Sequence, residues 1–199
     1  CAVTTGVGAA LKTAKVRAGS SVAVFGVGGV GLSIVMGAKH AGAETIIAID
    51  RTGPKRNLAL QAGATHVFPA DGDTLGSIRE VTGGRGADYV FEAIGIPQVQ
   101  EQCLEAVRPG GVLVLAGISP VGSTTNFPGA ILTRQEKTIM GSYYGTGDPE
   151  RDFSVYSQMY LNGKLPLNTL VSKSYPLDRI NEAYAEMLEG TIARNVILF

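Results

Sequence analysis

The chain has 199 residues, enough for one well-packed domain or for one complete domain and part of another. Its 17 basic and 17 acidic residues are interspersed and cancel, which excludes the basic footprint of a nucleic-acid binder or of a protein held on an anionic membrane. Glycine, charged or polar residues interrupt every apolar segment before it reaches the length of a bilayer span, and two cysteines, Cys1 and Cys103, argue against a disulfide scaffold and for a reducing cytoplasm.

The chain opens on Cys1 rather than Met, with no charged leader, and reads as a cut end. Thr4 or Thr5 is placed to cap a helix running to about Ala14, and a turn through Val16–Ser20 leads into an apolar, β-branched strand from Ser21. That strand ends in Phe25-Gly-Val-Gly-Gly-Val-Gly31, where Gly26, Gly28 and Gly31 fall at the spacing of a dinucleotide fingerprint. Each glycine has its own reason: a tight turn at Gly26, an unobstructed approach for a pyrophosphate at Gly28, and close packing of helix on strand at Gly31. A bound anion would then face the N–H groups and positive dipole end of the following helix. In a chain with 27 glycines a mere glycine-rich turn is the competing reading, and context decides against it. Residues Leu32 to Lys39 continue as a helix closed by Ala41-Gly-Ala43, and a second strand, Thr45-Ile-Ile-Ala-Ile-Asp50, follows. Asp50 stands about 20 residues beyond the last fingerprint glycine, where a carboxylate accepts hydrogen bonds from an adenosine ribose.

Alternation continues downstream. Pro54 opens a helix ending at Gly63, His66-Val-Phe68 is a short strand, and Leu75, Ile78 and Val81 mark a helix before Gly83-Gly84. Ala87–Ala93 reads as a buried strand, Pro97 to about Val107 as a helix, Pro109-Gly-Gly111 as a turn, and Val112–Ala116 and Thr138–Tyr144 as strands. Strands separated by helices predict an α/β fold, a doubly wound parallel sheet with helices on both faces. Beyond Pro149 the texture changes: a helix carrying Phe153, Tyr156 and Met159–Leu161, an irregular stretch around Pro166, an amphipathic helix from Asp178 to about Leu188, and a terminal strand Asn195–Phe199. Apolar faces this rich predict that the tail packs against something the chain does not contain.

Taken together, Cys1-Ala-Val-Thr-Thr-Gly-Val-Gly-Ala-Ala, the fingerprint Val22–Gly31, Ile46–Asp50, Phe91-Glu-Ala-Ile-Gly95 and Arg194-Asn-Val-Ile-Leu-Phe199 resemble the C-terminal half of zinc-dependent medium-chain alcohol dehydrogenases, over the whole length of the chain. The resemblance implies a Rossmann-type NAD-binding domain over 2–143, with residue 1 and residues 144–199 a remnant of an incomplete catalytic domain. It places Thr5 and Val30 against the nicotinamide, Gly26, Gly28, Gly29, Gly31 and Arg194 about the pyrophosphate, and Asp50 and Lys55 at the adenosine ribose. Arg51 is placed beside the same ribose, where it can turn toward a 2′-phosphate. The backbone near Ile94, Ala116, Ile118 and Tyr144 would receive the nicotinamide ring and its carboxamide. Core packing is the competing role for Val30 and Ile94, and a solvated surface charge for Lys55 and Arg194.

In that family the catalytic zinc takes Cys, His and a second Cys, and Cys1 matches the last of these. His40, His66 and Cys103 fall in a helix, a strand and a helix and cannot complete the set. The expected whole protein is therefore an NAD- and zinc-dependent dehydrogenase of a small alcohol, aldehyde or thiol-aldehyde adduct, its zinc completed by a missing N-terminal half. The resemblance also implies a homo-oligomer, dimer or tetramer, paired through the edge strand near Ile139–Tyr143. The chain alone is expected to be inactive. The alternatives are a non-catalytic dinucleotide-binding module, a methyltransferase, disfavoured by Phe25 before the first glycine, and a zinc-free quinone or enoyl reductase of the same superfamily.

Overall fold

A computed structural model describes residues 1–190 and 192–199. Among them β1 (Ser21–Phe25), β2 (Thr45–Asp50), β3 (His66–Pro69), β4 (Ala87–Glu92), β5 (Val107–Leu115) and β6 (Thr138–Gly141) form one parallel sheet in the order β3-β2-β1-β4-β5-β6. Parallel neighbours cannot be joined by a hairpin, so helices make the crossovers: α2 (Gly29–His40), α3 (Gly53–Ala62), α4 (Thr74–Val81), α5 (Pro97–Ala106) and α6 (Gly129–Gln135). This is the predicted doubly wound arrangement, with the strand order reversing between β1 and β4.

The period of two along the strands divides the core. Val22, Val24, Ile46, Ala48 and Phe91 pack on one face with α2 and α3, whereas Ala23, Phe25, Ile47, Ile49 and Val90 pack on the other against Ile78 of α4 and Cys103 and Leu104 of α5. With both faces covered, the central strands are apolar through their middles, with polar residues only near their ends, which is why they read so plainly in sequence.

The first helix, α1 (Ala2–Gly8), begins before the threonines predicted to cap it. Cys1 is its N-cap, the Thr5 N–H donates to the Cys1 carbonyl at 2.9 Å, and Thr4 and Thr5 are buried inside it. Ala9–Thr13 continues as a π turn, the Ala14 N–H donating to the Ala9 carbonyl. Strand β5 starts at Val107 and runs through the Pro-Gly-Gly segment predicted as a turn, with its register against β4 shifting between Ala87 and Tyr89. Strand β6 stops at Gly141, three residues short of the predicted end.

Toward the C-terminus, α7 (Pro149–Leu161) and α8 (Ile180–Glu189) match the predicted helices, but β7 (Val171–Pro176) occupies the stretch predicted as irregular and pairs in parallel with β8 (Arg194–Leu198). Leu161 and Leu188 remain 72% and 83% exposed, in keeping with the predicted apolar surplus of this tail. No helix among the described residues is long and apolar enough to cross a membrane.

Asp88 fastens the amino ends of three strands. Its carboxylate accepts from the Ser21 N–H and Ser21 Oγ, both at 2.7 Å, and from Arg108 Nε. Burial alone would raise this carboxyl, but the two Ser21 hydrogen bonds and Arg108 outweigh it and hold it below its ordinary value. A depressed carboxyl contributes stability above its unfolded pKa of about 3.9 and loses it as pH falls through the folded value. Asp88→Asn should lower Tm at neutral pH by about 2–4 °C, for about 1 kcal/mol of lost hydrogen bonding, and flatten the acid limb of a Tm-against-pH curve. Superimposable acid limbs would refute the assignment.

Candidate functional site

The carboxyl ends of the strands gather the predicted residues at the point where the strand order reverses, the place where open α/β sheets leave a crevice. Gly26 takes φ +85° as the chain leaves β1, and its N–H donates to the Ile49 carbonyl at 2.8 Å. The three fingerprint glycines then differ as their proposed roles require. A Cβ on Gly31 would stand 1.8 Å from the Gly26 carbonyl oxygen, so helix and turn touch there. A Cβ on Gly28 would meet nothing within 4 Å. Gly28 is the N-cap of α2 and no side chain caps that end, where the first N–H groups of a helix have no partner within it.

Arg194, at the start of β8, lies over the same turn. A Cβ on Gly29 would fall 2.6 Å from its guanidinium carbon, so the C-terminal strand delivers a cation to the helix N-terminus. The combination of an unobstructed glycine, uncapped helical N–H groups and an adjacent guanidinium fits a pyrophosphate group.

Asp50 ends β2 with its carboxylate already oriented: Oδ2 accepts from the Val27 N–H at 3.0 Å, and Oδ1 accepts from the Thr52 N–H at 3.0 Å and Thr52 Oγ1 at 3.1 Å. Thr52 was legible in sequence as the second residue after an Asp, the spacing of a local Asx turn. Arg56, also missed by sequence reasoning, donates from Nη1 to the carbonyls of Asp50 and Arg51 at 2.7 and 3.0 Å. Arg51 itself is exposed. Lys55 reaches toward the end of α8, its Nζ 4.0 Å from where a Cβ on Gly190 would stand.

On the other side of the crevice, Ile94 follows β4 and packs on the fingerprint: a Cβ on Gly26 would meet Ile94 Cγ1 at 2.4 Å. Ala116 follows β5, and Ile118, 78% exposed, lies beside Gly95, whose Cβ would meet the Ile118 carbonyl oxygen at 2.3 Å. Helix α1 brings Thr5 alongside, since Gly6 abuts the Val30 carbonyl oxygen, 2.3 Å from its would-be Cβ. Tyr144, at φ +51°, enters a left-handed turn with Gly145 and Thr146 that docks on α1.

Glu92, which sequence reasoning read only as part of a strand, is fully buried at the end of β4. Its Oε1 accepts from the N–H groups of Ile94 and Gly95, both at 2.7 Å. The signal was an acid at the carboxyl end of the strand, directly after the apolar run Tyr89–Phe91. Nearby Cys103 is pushed well above the ordinary thiol range by burial and then by the Glu92 charge, which leaves it a neutral core residue.

Metal ligation stands apart from this convergence. Cys1 is exposed and its Sγ lies 3.8 Å from Thr5 Oγ1, but among the described residues no group of three or more His, Cys, Asp or Glu is placed to hold a metal. The residues present therefore do not by themselves fit a catalytic zinc, which needs three protein ligands. A separate cleft of about 580 Å³ lies between α4, α5 and α6, where Arg79, Arg85 and Lys137 mix with Glu101 and Glu105. It holds none of the predicted site residues.

Residues 29–161 match the family model described as zinc-binding dehydrogenase. The chain is 35% identical over 201 residues to an NDMA-dependent alcohol dehydrogenase of Amycolatopsis methanolica, covering 100% of this chain and 54% of that protein. It is 40% identical over 202 residues to alcohol dehydrogenase B of Mycobacterium tuberculosis, again covering 100% of this chain and 54% of the relative. Among solved structures, benzyl alcohol dehydrogenase from Acinetobacter calcoaceticus superposes with a TM-score of 0.95 at 34% identity, covering 99% of this chain and 54% of that one. The chain thus spans about half the length of the relatives it matches.

Proposed function

Because the chain belongs to the zinc-binding dehydrogenase family, we propose that it is the cofactor-binding portion of an NAD- and zinc-dependent alcohol dehydrogenase. The observation that carries the reading is the empty volume over Gly28, flanked by the uncapped start of α2, by Arg194 and by the oriented Asp50 carboxylate. When bound, NAD supplies a hydride acceptor at its nicotinamide ring. The N–H groups at the start of α2 and Arg194 would hold the pyrophosphate, Asp50 and Lys55 the adenosine ribose, and Thr5, Val30, Ile94, Ala116, Ile118 and Tyr144 the nicotinamide end. Residues 2–143 would form the NAD-binding domain, with residue 1 and residues 144–199 belonging to the catalytic domain.

The substrate class would be a small alcohol, as the names of the relatives indicate for those proteins, or the aldehyde it forms. Cys1 would give one thiolate to a zinc whose other ligands come from a catalytic half not contained in this chain, in a cytoplasmic homo-oligomer, dimer or tetramer. Alone, the chain would bind dinucleotide without turnover, and alcohol-dependent NADH formation by the purified chain would contradict this part of the reading.

Asp50 makes the reading testable. A carboxylate accepts from a free 2′-hydroxyl but repels a 2′-phosphate, so NADH should bind at least about tenfold more tightly than NADPH, with Arg51 preventing complete exclusion. Asp50→Ser should narrow that gap by about tenfold. Fluorescence titration with both cofactors measures it, and equal or tighter NADPH binding by the unaltered chain would overturn the assignment of Asp50.

A further inference from the structure

Glu92 closes β4 with a carboxylate directly after Val90 and Phe91, and none of its surface reaches solvent. Burying an ionisable group is costly unless its lone pairs are satisfied, and here the partners are specific. Oε1 takes the N–H groups of Ile94 and Gly95, while Oε2 lies 3.5 Å from Gln100 Nε2. Gln100, itself buried, donates from Nε2 to Ser119 Oγ at 2.9 Å and accepts from Thr125 Oγ1 at 2.5 Å. The Glu92 carbonyl accepts from the N–H groups of Ala116 and Gly117, both at 2.9 Å. Even the missing side chain at Gly117 is part of this contact, since a Cβ there would fall 2.7 Å from Glu92 Oε2 and 2.3 Å from the Gly95 nitrogen. One residue thereby fastens the loop after β4 to the loop after β5.

We infer that Glu92 is a positioning residue for the nicotinamide end of the cofactor, its buried carboxylate setting the two loops that carry Ile94, Ala116 and Ile118. The inference rests on the cofactor reading above and adds to it a residue that would touch no part of the cofactor. The adenine end would rest on the turn after β1, Asp50 and Thr52, to which the Glu92 carboxylate makes no hydrogen bond, the two sets meeting where Ile94 packs on Gly26.

The two ends can be separated by comparing NADH with ADP-ribose, which has the same pyrophosphate and adenosine but no nicotinamide. Glu92→Leu should raise the Kd for NADH at least about tenfold and leave that for ADP-ribose within about twofold. Glu92→Gln keeps an oxygen for the two loop N–H groups and should restore NADH binding to within about threefold of the unaltered chain. Should Glu92→Leu not fold, as judged by circular dichroism, Gln100→Leu tests the same link to Ser119 and should show the same NADH-selective loss. Equal weakening of both ligands, or of neither, overturns the inference. Failure of the unaltered chain to bind either NADH or ADP-ribose would instead overturn the cofactor reading, and this inference with it.

Discussion

Gly28→Val is expected to raise the Kd for NADH by at least about a hundredfold, roughly 2.7 kcal/mol, while the far-ultraviolet circular dichroism and Tm stay close to those of the unaltered chain. Gly28 has φ −74° and ψ −163°, an extended conformation that valine adopts freely, and the new Cβ would point into space with no atom within 4 Å. Since no protein atom meets that Cβ, the substitution is expected to act on the proposed ligand at the helix N-terminus and not on the fold. Gly31→Val should do the reverse. Its Cβ would be placed 1.8 Å from the backbone oxygen of Gly26, an obstacle that no rotamer change removes, so α2 would have to lift from β1. Overpacking costs about 1–3 kcal/mol and more where backbone must move, which in a chain of this size lowers Tm by on the order of 10 °C. Measuring Tm and NADH affinity for both variants checks the pair. Unchanged affinity in Gly28→Val would show that the turn after β1 is only a turn.

The contrast between these two glycines also marks how far sequence reasoning reaches. Spacing alone separates their proposed roles, because a strand-turn-helix passage constrains each position differently, and the strands β1, β2 and β4 are legible from the apolar runs at their centres. Elements with weak burial escaped. Helix α6 has no buried residue and so presents no apolar stripe, and β7 buries little beyond Tyr175 and Leu170 just before it, which leaves its pattern indistinct. The start of α1 was misplaced because two threonines resemble caps, yet the helix continues upstream on a backbone hydrogen bond to Cys1 that no side-chain rule foretells. At the candidate site, sequence spacing points to Gly26, Gly28, Gly31 and Asp50, which the fold brings to the crevice at the carboxyl ends of β1 and β2. Glu92 and Gln100, which would orient the loops after β4 and β5, depend on contacts between loops that only the fold brings together, whereas Thr52 bonds Asp50 locally.

A second glycine pair fixes the geometry on the far side of the crevice, and its disruption should be comparably severe. Tyr144, Gly145 and Thr146 are consecutive left-handed residues at φ +51°, +70° and +52°, a conformation costing each non-glycine residue roughly 1–2 kcal/mol. What holds the turn is its docking on α1. Gly8 and Gly145 lie face to face, a Cβ on Gly8 falling 2.5 Å from the Gly145 carbonyl oxygen and a Cβ on Gly145 falling 2.3 Å from that of Thr4. Hydroxyls bind the same surfaces, with Thr13 Oγ1 at 2.9 Å from Ser142 Oγ and 2.7 Å from Thr146 Oγ1. Buried Asp152 adds an ion pair with Lys12 and accepts from the Asp148 N–H at 2.9 Å. Gly145→Ala meets both penalties, an alanine forced into the left-handed region and a Cβ inside contact distance of α1. The sum is about 2–5 kcal/mol, or a fall in Tm on the order of 10 °C. Gly145→Asn separates the two, since asparagine tolerates the left-handed conformation but still brings the clashing Cβ, and it should recover only a minor part of the loss. Because a Cβ on Gly145 would also lie 3.0 Å from the Thr5 carbonyl oxygen, either variant should push Tyr144 away from Thr5, two residues assigned to the nicotinamide end. Variants that retain a folded population should therefore lose NADH affinity while keeping ADP-ribose affinity. A Gly145→Ala protein with unaltered Tm would show that the turn has room to rise from α1, and that the closeness of Gly8 and Gly145 is not what sets it.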